Sequence, residues 1–195
     1  MSFYTINSLN FSYPKSDTVL ENISFHMKKN HRVGLVGPNG CGKTTLVKLM
    51  MGILKPQSGE VYLEGNNIKN ISLSEIGKKV GFVFQNPDKQ LFASTVWEQM
   101  SFSYNFNKSI TEKEIDEKID YYLKIFDLDQ HKRDFPFNLS LGQKQRLAIA
   151  SVLSRDVDFL IMDEPSTGLD ILRLKNLEKC LLSLKNEDKG YIIIS

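Results

Sequence analysis

Cysteine is almost missing from this chain. Only Cys41 and Cys180 occur in 195 residues. Cys41 falls in a glycine-rich loop and Cys180 in an expected helix, so no disulfide is expected and the composition suits a reducing compartment. An excess of one charge is lacking too. The formal net charge is +2, which gives no electrostatic reason to expect nucleic acid as the main partner. No apolar run approaches the ~20 residues needed to cross a bilayer. The first residues, Met1-Ser2-Phe3-Tyr4-Thr5, have neither the basic nor the apolar part of a signal peptide. Internal repeats and low-complexity linkers are missing as well. What is present is ordinary for a globular protein: 41% hydrophobic and 25% charged residues. The length suffices for one domain with a sizeable core and room for an inserted subdomain.

Against that plain background one stretch stands out. Gly37-Pro38-Asn39-Gly40-Cys41-Gly42-Lys43-Thr44-Thr45 fits G-x-x-x-x-G-K-[ST], a phosphate-binding loop. Arg32-Val33-Gly34-Leu35-Val36 before it reads as a short buried strand, and Thr45 to Met51 after it as a helix. A glycine-rich turn alone would say little; the strand–loop–helix context gives it meaning. Glycines let backbone N–H groups converge on phosphate oxygens, and the helix adds the positive end of its dipole. Lys43 is expected to reach the β- and γ-phosphates of a bound nucleotide. The Thr44 hydroxyl is expected to ligate Mg²⁺.

Along the chain, residues 3–13 and 20–27 alternate apolar and polar and read as antiparallel strands. Tyr13, at the end of the first, is either an edge-strand aromatic or a platform for a planar ligand. Gly52 and Pro56 end the helix after the loop. Gly59 to Gly65 reads as a strand and turn. Lys79 to Phe84 is a denser apolar strand, expected at the centre of a sheet and broken at Pro87. From about 88 to 155 the pattern turns helical. Thr111 and Glu114 form a capping box ahead of an Ile115, Ile119, Tyr122, Leu123, Phe126 face. Leu141 to Leu153 is a further helix. Phe159-Leu160-Ile161-Met162 is a buried strand ending in Asp163-Glu164, then come a helix from about Ile171 to Leu184 and a last apolar strand, Gly190 to Ser195. Strands alternating with helices argue for a mostly parallel, doubly wound sheet.

Four apolar residues ending in two carboxylates form a second motif, a Walker B element. Asp163 is placed to hold Mg²⁺. Glu164 is placed to orient and deprotonate a water attacking the γ-phosphate. On its own the segment would read equally well as a strand ending in a solvated acidic turn; beside a phosphate loop it reads as a metal and base site.

Between these two motifs lies Leu139-Ser140-Leu141-Gly142-Gln143-Lys144-Gln145-Arg146. It resembles the signature motif of ATP-binding-cassette (ABC) ATPases, whose usual form is L-S-G-G-Q. The resemblance covers the whole chain. Tyr13 matches the family's adenine-stacking aromatic, Gln85 its Q-loop glutamine, Asp163 and Glu164 its Walker B pair, and Ser166 to Asp170 its D-loop. The resemblance implies the fold class: α/β, a P-loop NTPase core with a mostly parallel sheet and helices on both faces, an N-terminal antiparallel β-subdomain, and an inserted α-helical subdomain. The whole of 1–195 would be one cassette. Gln85-Asn86-Pro87-Asp88-Lys89-Gln90-Leu91-Phe92 resembles the Q-loop region of energy-coupling-factor and cobalt- or nickel-importer ATPases, or is simply the start of a helical subdomain common to the superfamily.

The resemblance further implies an ATPase that drives membrane transport. Two cassettes, identical or paralogous, would close head to tail over two ATP and Mg²⁺. Each nucleotide would lie on Tyr13 and residues 37–45 of one chain and against Ser140, Leu141, Gly142 and Gln143 of the other. Lys43, Gln85 and Glu164 would be catalytic, Thr44, Gln85 and Asp163 would hold the metal, and Asp170 would serve the D-loop. An integral membrane subunit at the cytoplasmic face of a prokaryotic cell membrane would be the second partner, and nucleic acid none. The alternatives are a nucleotide-binding partner cassette with little activity, or a non-transport ABC ATPase, though the insertion is too short for long coiled coils.

Two departures from the family pattern stand out. Leu141 replaces the first glycine of the signature. If that position needs φ > 0, its Cβ strains the half-site, and Leu141→Gly would raise activity. The family's switch histidine follows the strand that here ends Ile194-Ser195, so the chain reads as incomplete at its C-terminus, with binding retained and hydrolysis impaired. His26, His31 and His131 match no functional position and read as strand, turn and surface residues. Cys41, near a helix N-terminus, reads either as an activated thiol or as a small residue in a small slot.

Overall fold

The structure is a computed structural model that describes residues 2–102, 104, 110–155, 157–184 and 188–195. It divides into two compact units.

The first unit comprises Met1–Gly81, Val157–Asp163 and Lys185–Ser195. It contains two sheets. In the antiparallel sheet the order is β2-β1-β4-β5, formed by β1 (Tyr4–Ser12), β2 (Thr18–Met27), β4 (Ser58–Leu63) and β5 (Asn66–Asn67). Tyr4 pairs with Met27 on one side and Leu63 on the other. Tyr4, Ile6, Leu9 and Phe11 are buried, which is the alternation of a one-sided sheet with one slip. The slip falls at Ser8, whose φ is 44°, where the register with β2 shifts between Ile6 and Leu9. A bulge of this kind moves the buried side from even to odd positions without unpairing the strand.

The second sheet is parallel. It holds β3 (Arg32–Leu35), β8 (Gly190–Ile194) and β7 (Phe159–Asp163), in that order, with β6 (Val80–Val83) as its fourth strand. Asp158 N–H donates to Lys79 O at 2.8 Å where β6 begins. β6 is therefore the last strand in the order and not the central one that its apolar density suggested. All four of its residues are nonetheless buried, so density reported burial and not position. β3 also corrects the reading of a buried strand. Its residues alternate exposed and half-buried, and Val36 after it is 80% exposed. β3 pairs with β8 alone among the described strands, which leaves it an edge.

Aromatic rings join the two sheets. Phe3 stacks on Phe159 of β7 with centroids 5.4 Å apart, and Tyr4 meets both edge-on. The Tyr4 hydroxyl donates to Met50 O at 3.2 Å, at the end of α1 (Lys43–Met50). Complete burial pushes the Tyr4 phenol well above its ordinary range, so it remains a neutral donor. α2 (Leu73–Lys79) starts at a Ser72–Glu75 capping box and leads into β6.

The second unit, Phe82–Asp156 and Glu164–Leu184, is largely helical. It contains α3 (Val96–Ser101), α4 (Glu112–Ile125), α5 (Leu141–Leu153) and α6 (Ile171–Ser183). The Thr111–Glu114 capping box forms as read, with Thr111 N–H 2.8 Å from the Glu114 carboxylate. Ile119 and Leu123 of α4, with Phe126 just beyond it, are fully buried. Trp97 Nε1 of α3 donates to Asp116 of α4 at 2.6 Å, and Asn176 of α6 donates to Ile125 O at 2.9 Å. α5 is buried along Gln145–Leu153, so only its first turn faces water.

Candidate functional site

The parallel sheet of the first unit sets the level of the phosphate loop. Leu35 at the end of β3 and Asp163 at the end of β7 both pair with Ile194 of β8. The loop that follows β3 and the carboxylate that ends β7 therefore share one edge of the sheet, where ligands bind in open α/β sheets. Gly40 and Gly42 have φ of 85° and 94°. At Gly42 a Cβ would also lie 2.9 Å from Leu20 Cδ2, so both conformation and space require glycine there. Gly42 is the N-cap of α1 and no side chain caps that terminus. Its backbone N–H groups thus lack the side-chain acceptor that most helix starts supply, which suits phosphate oxygens.

Lys43 is buried, with Nζ donating to Gly37 O at 2.6 Å and Pro38 O at 3.1 Å. These bonds hold the ammonium back across the loop it follows. Thr44 Oγ1 donates to Asp163 Oδ2 at 2.8 Å. Two residues 119 positions apart, both expected at the metal, are thus in contact, and Asp163 is only 3% exposed. No cluster of three or more His, Cys, Asp or Glu side chains fit to hold a metal occurs among the described residues. A hydroxyl and one carboxylate are hard oxygen donors, and Mg²⁺ uses just such a sparse protein set, completed by phosphate and water. Tyr13 is 37% exposed, its ring edge-on to Phe11, and its hydroxyl is 3.2 Å from Thr45 Oγ1 of the loop. That bond ties the ring to the start of α1 and leaves part of its face open. Cys41 is exposed, and its sulfur lies 3.0 Å from where a Cβ on Gly37 would be.

In the second unit Gln85 Nε2 donates to Glu164 Oε2 at 2.9 Å. Glu164 has φ 48°, a left-handed conformation that non-glycine residues seldom adopt and that clusters at functional positions. Ser140 is the N-cap of α5 and forms a capping box with Gln143. Ser140 N–H donates to Gln143 Oε1 at 2.8 Å, and Gln143 N–H to Ser140 Oγ at 3.3 Å.

Leu141 is the first residue of α5, is 62% exposed, and does not have positive φ. The strain that a left-handed position would impose on Leu141 therefore does not arise. Gly142 has a reason of its own: a Cβ there would lie 3.1 Å from Gly168 O, so α5 starts almost in contact with the D-loop turn. Asp170 caps α6, accepting from Arg173 N–H at 3.0 Å and from its guanidinium. The bond from the Arg173 backbone amide, followed by its side chain, holds the Asp170 carboxyl below its ordinary range. Arg173 also reaches Asp127 at 3.0 Å.

Several contacts of this unit had no sequence signal strong enough to single them out. Gln90 Nε2 donates to Ala148 O of α5 at 2.8 Å, its Oε1 accepts from Phe84 N–H at 3.3 Å, and Asp88 pairs with Lys144 at 2.9 Å. The Q-loop segment is thus fastened to the signature helix. His131, read as a surface residue, is half-buried and bonded to both Asp134 and Gln143. The His131-x-x-Asp134 spacing was a local clue; nothing local pointed to Gln143.

Comparison with known proteins decides the family. Residues 20–167 match the family described as ABC transporter. The chain belongs to the ABC transporter family. It is 38% identical over 195 residues to the energy-coupling factor transporter ATP-binding protein EcfA of Methanococcus maripaludis, covering 99% of this chain and 70% of that protein. It is 40% identical over 185 residues to a putative ABC transporter ATP-binding protein of Pyrococcus horikoshii, covering 95% and 70%. Among solved structures it matches cbiO1 of Clostridium perfringens, part of the ABC transporter complex cbiONQ. The TM-score is 0.80 at 33% identity, over 100% of this chain and 78% of that one. The fold is the α/β P-loop NTPase fold of ABC ATPases, and the cassette is an ATP-binding, ATP-hydrolysing transporter subunit. No helix among the described residues is long and apolar enough to cross a membrane.

Proposed function

We propose that the cassette powers an energy-coupling-factor-type importer of a vitamin or transition-metal ion, as one of two cassettes closed head to tail over Mg-ATP. The residues of 37–45, with Tyr13, hold the nucleotide, while Thr44, Asp163 and Gln85 hold the metal. Glu164, positioned by Gln85, acts as base toward the attacking water, and Lys43 neutralises charge on the transferred phosphoryl group. The residues 1–195 act as one cassette, with about 88–155 as its helical insertion. The partner cassette is a second copy or a paralogue, and the pair sits on the cytoplasmic face of an integral membrane subunit.

The observation that carries the reading is the exposed, capped start of α5. Ser140 and Leu141 face water, Gly142 to Lys144 are half-buried, and Gln145–Leu153 is buried. A hydroxyl and helix-terminal amides held in this way suit a phosphate brought by another molecule. The subtype rests on the likeness to EcfA proteins and on Gln85 to Phe92.

The test is Mg-ATPase rate against protein concentration, with Lys43→Ala as blank, followed by mixing Lys43→Ala chains with Ser140→Arg chains. A rate steeper than linear, and activity regained on mixing two inactive variants, is the expected result. A linear rate with no regain refutes head-to-tail pairing of two copies of this chain and leaves the paralogue as the partner.

A further inference from the structure

His131 is held on both ring nitrogens. Nδ1 is 2.7 Å from Asp134 Oδ2, and Nε2 is 2.9 Å from Gln143 Nε2. The Gln143 amide has only one workable orientation. Its oxygen accepts the Ser140 N–H at 2.8 Å, so its NH₂ faces the imidazole. An NH₂ group only donates. His131 Nε2 must therefore accept, which places the single ring proton on Nδ1, where Asp134 accepts it. One neutral tautomer satisfies every bond. The imidazolium would set an N–H against the Gln143 NH₂ at hydrogen-bond distance.

The backbone that carries the imidazole is held in place. His131 N–H bonds Leu128 O and Asp134 N–H bonds His131 O, each at 2.9 Å. Val96 and Trp97 of α3 donate to Asp134 O and Lys132 O, both at 3.0 Å. Of the surrounding charges, Asp134 is in contact with the ring. Lys132 is engaged by Asp120 and Asp116 of α4, and Lys144 of α5 by Asp88. Arg133 and Asp129 share the segment.

We propose that His131 is a positioning residue for the signature segment: neutral and held by Asp134, it fixes the Gln143 amide and through it the Ser140 cap, and its protonation releases both. The cassette thus carries a built-in acid brake on nucleotide closure. This rests on the reading of Ser140 to Gln143 as the segment that meets the partner's nucleotide.

Two readouts test it in the assembled transporter ATPase and in the isolated cassette. NMR of the cassette follows the His131 ring and the Gln143 side-chain amide through about pH 5–8. Both are expected to titrate with one midpoint. In the assembled ATPase, His131→Gln keeps an acceptor without a titrating group and is expected to remove the acid limb of kcat. Asp134→Asn keeps the acceptor for Nδ1–H but removes its charge, so the limb moves to lower pH. His131→Phe removes the acceptor and lowers kcat about 3- to 10-fold at every pH, as loss of one positioning hydrogen bond implies. A Gln143 amide indifferent to His131, or an acid limb unchanged in His131→Gln, overturns the proposal. Mixing Lys43→Ala with Ser140→Arg chains reports separately on the underlying reading, because two inactive variants regain activity only if this segment meets the partner's nucleotide.

Discussion

The contact between Thr44 and Asp163 can be broken with little disturbance to shape. Thr44→Val replaces the hydroxyl by a methyl group of similar size and leaves helix propensity at the second residue of α1 nearly unchanged. What is lost is a 2.8 Å bond to a carboxylate that is 3% exposed. Water cannot readily reach that oxygen, so the loss falls in the range for hydrogen bonds to charged groups, about 1.5–3 kcal/mol. For a chain of this length, about 2 kcal/mol corresponds to a fall of about 4–8 °C in Tm. The assay is thermal and urea unfolding without nucleotide or divalent metal. Thr44→Ser, which keeps the donor, should lie within about 0.5 kcal/mol of the parent, in the range of substitutions that remove no named interaction. In an Asp163→Ala background Thr44→Val should cost less than about 0.5 kcal/mol, because the partner is already gone. A full-sized effect in that background would show that the cost arises elsewhere in α1 and would refute the reasoning.

Three further outcomes follow from the second unit and the cysteines. Leu141→Gly should not raise ATPase activity, since Leu141 is already helical without strain, and it should lower stability by about 0.5–1 kcal/mol through backbone entropy; a rate increase in the assembled complex would contradict this. Gly142→Ala gains up to about 1 kcal/mol of helix propensity but presses a methyl group to 3.1 Å from Gly168 O, so hydrolysis should fall while Tm changes little. A parallel loss of both would show general unfolding instead. Burial pushes the Cys180 thiol up to about 11, so at pH 8 it stays protonated and alkylates slowly, and its labelling should rise only as the pH approaches that value. Cys41 is exposed and should be the residue labelled first in a mass-spectrometric time course, with ATP slowing it; early labelling of Cys180 would contradict its burial.

Much of the architecture was legible because it rests on neighbours in the chain. A capping box closes over three residues, so Thr111 and Glu114 announced α4 before any packing was known. The phosphate loop was legible for the same reason: glycines at Gly40 and Gly42 permit positive φ wherever the loop sits. Leu141 to Leu153 was read as a helix with both bounds matching. The local rule failed where position in a sheet mattered. Lys79 to Phe84 reads the same whether its strand lies at the centre or the end of the order, since periodicity reports burial and not neighbours.

The sequence by itself therefore determined the motifs, the caps and the family, all of which depend on residue type at fixed short spacing. Tertiary structure alone decided which motifs touch. Strand order β3-β8-β7 is not chain order, and it is that order which levels Leu35 with Asp163 across Ile194. Thr44 meets Asp163 across 119 residues, Gly142 lies against Gly168, and His131 reaches Gln143 on another element. Contacts between distant positions follow from how the elements pack, and a single sequence records the elements far more directly than their packing.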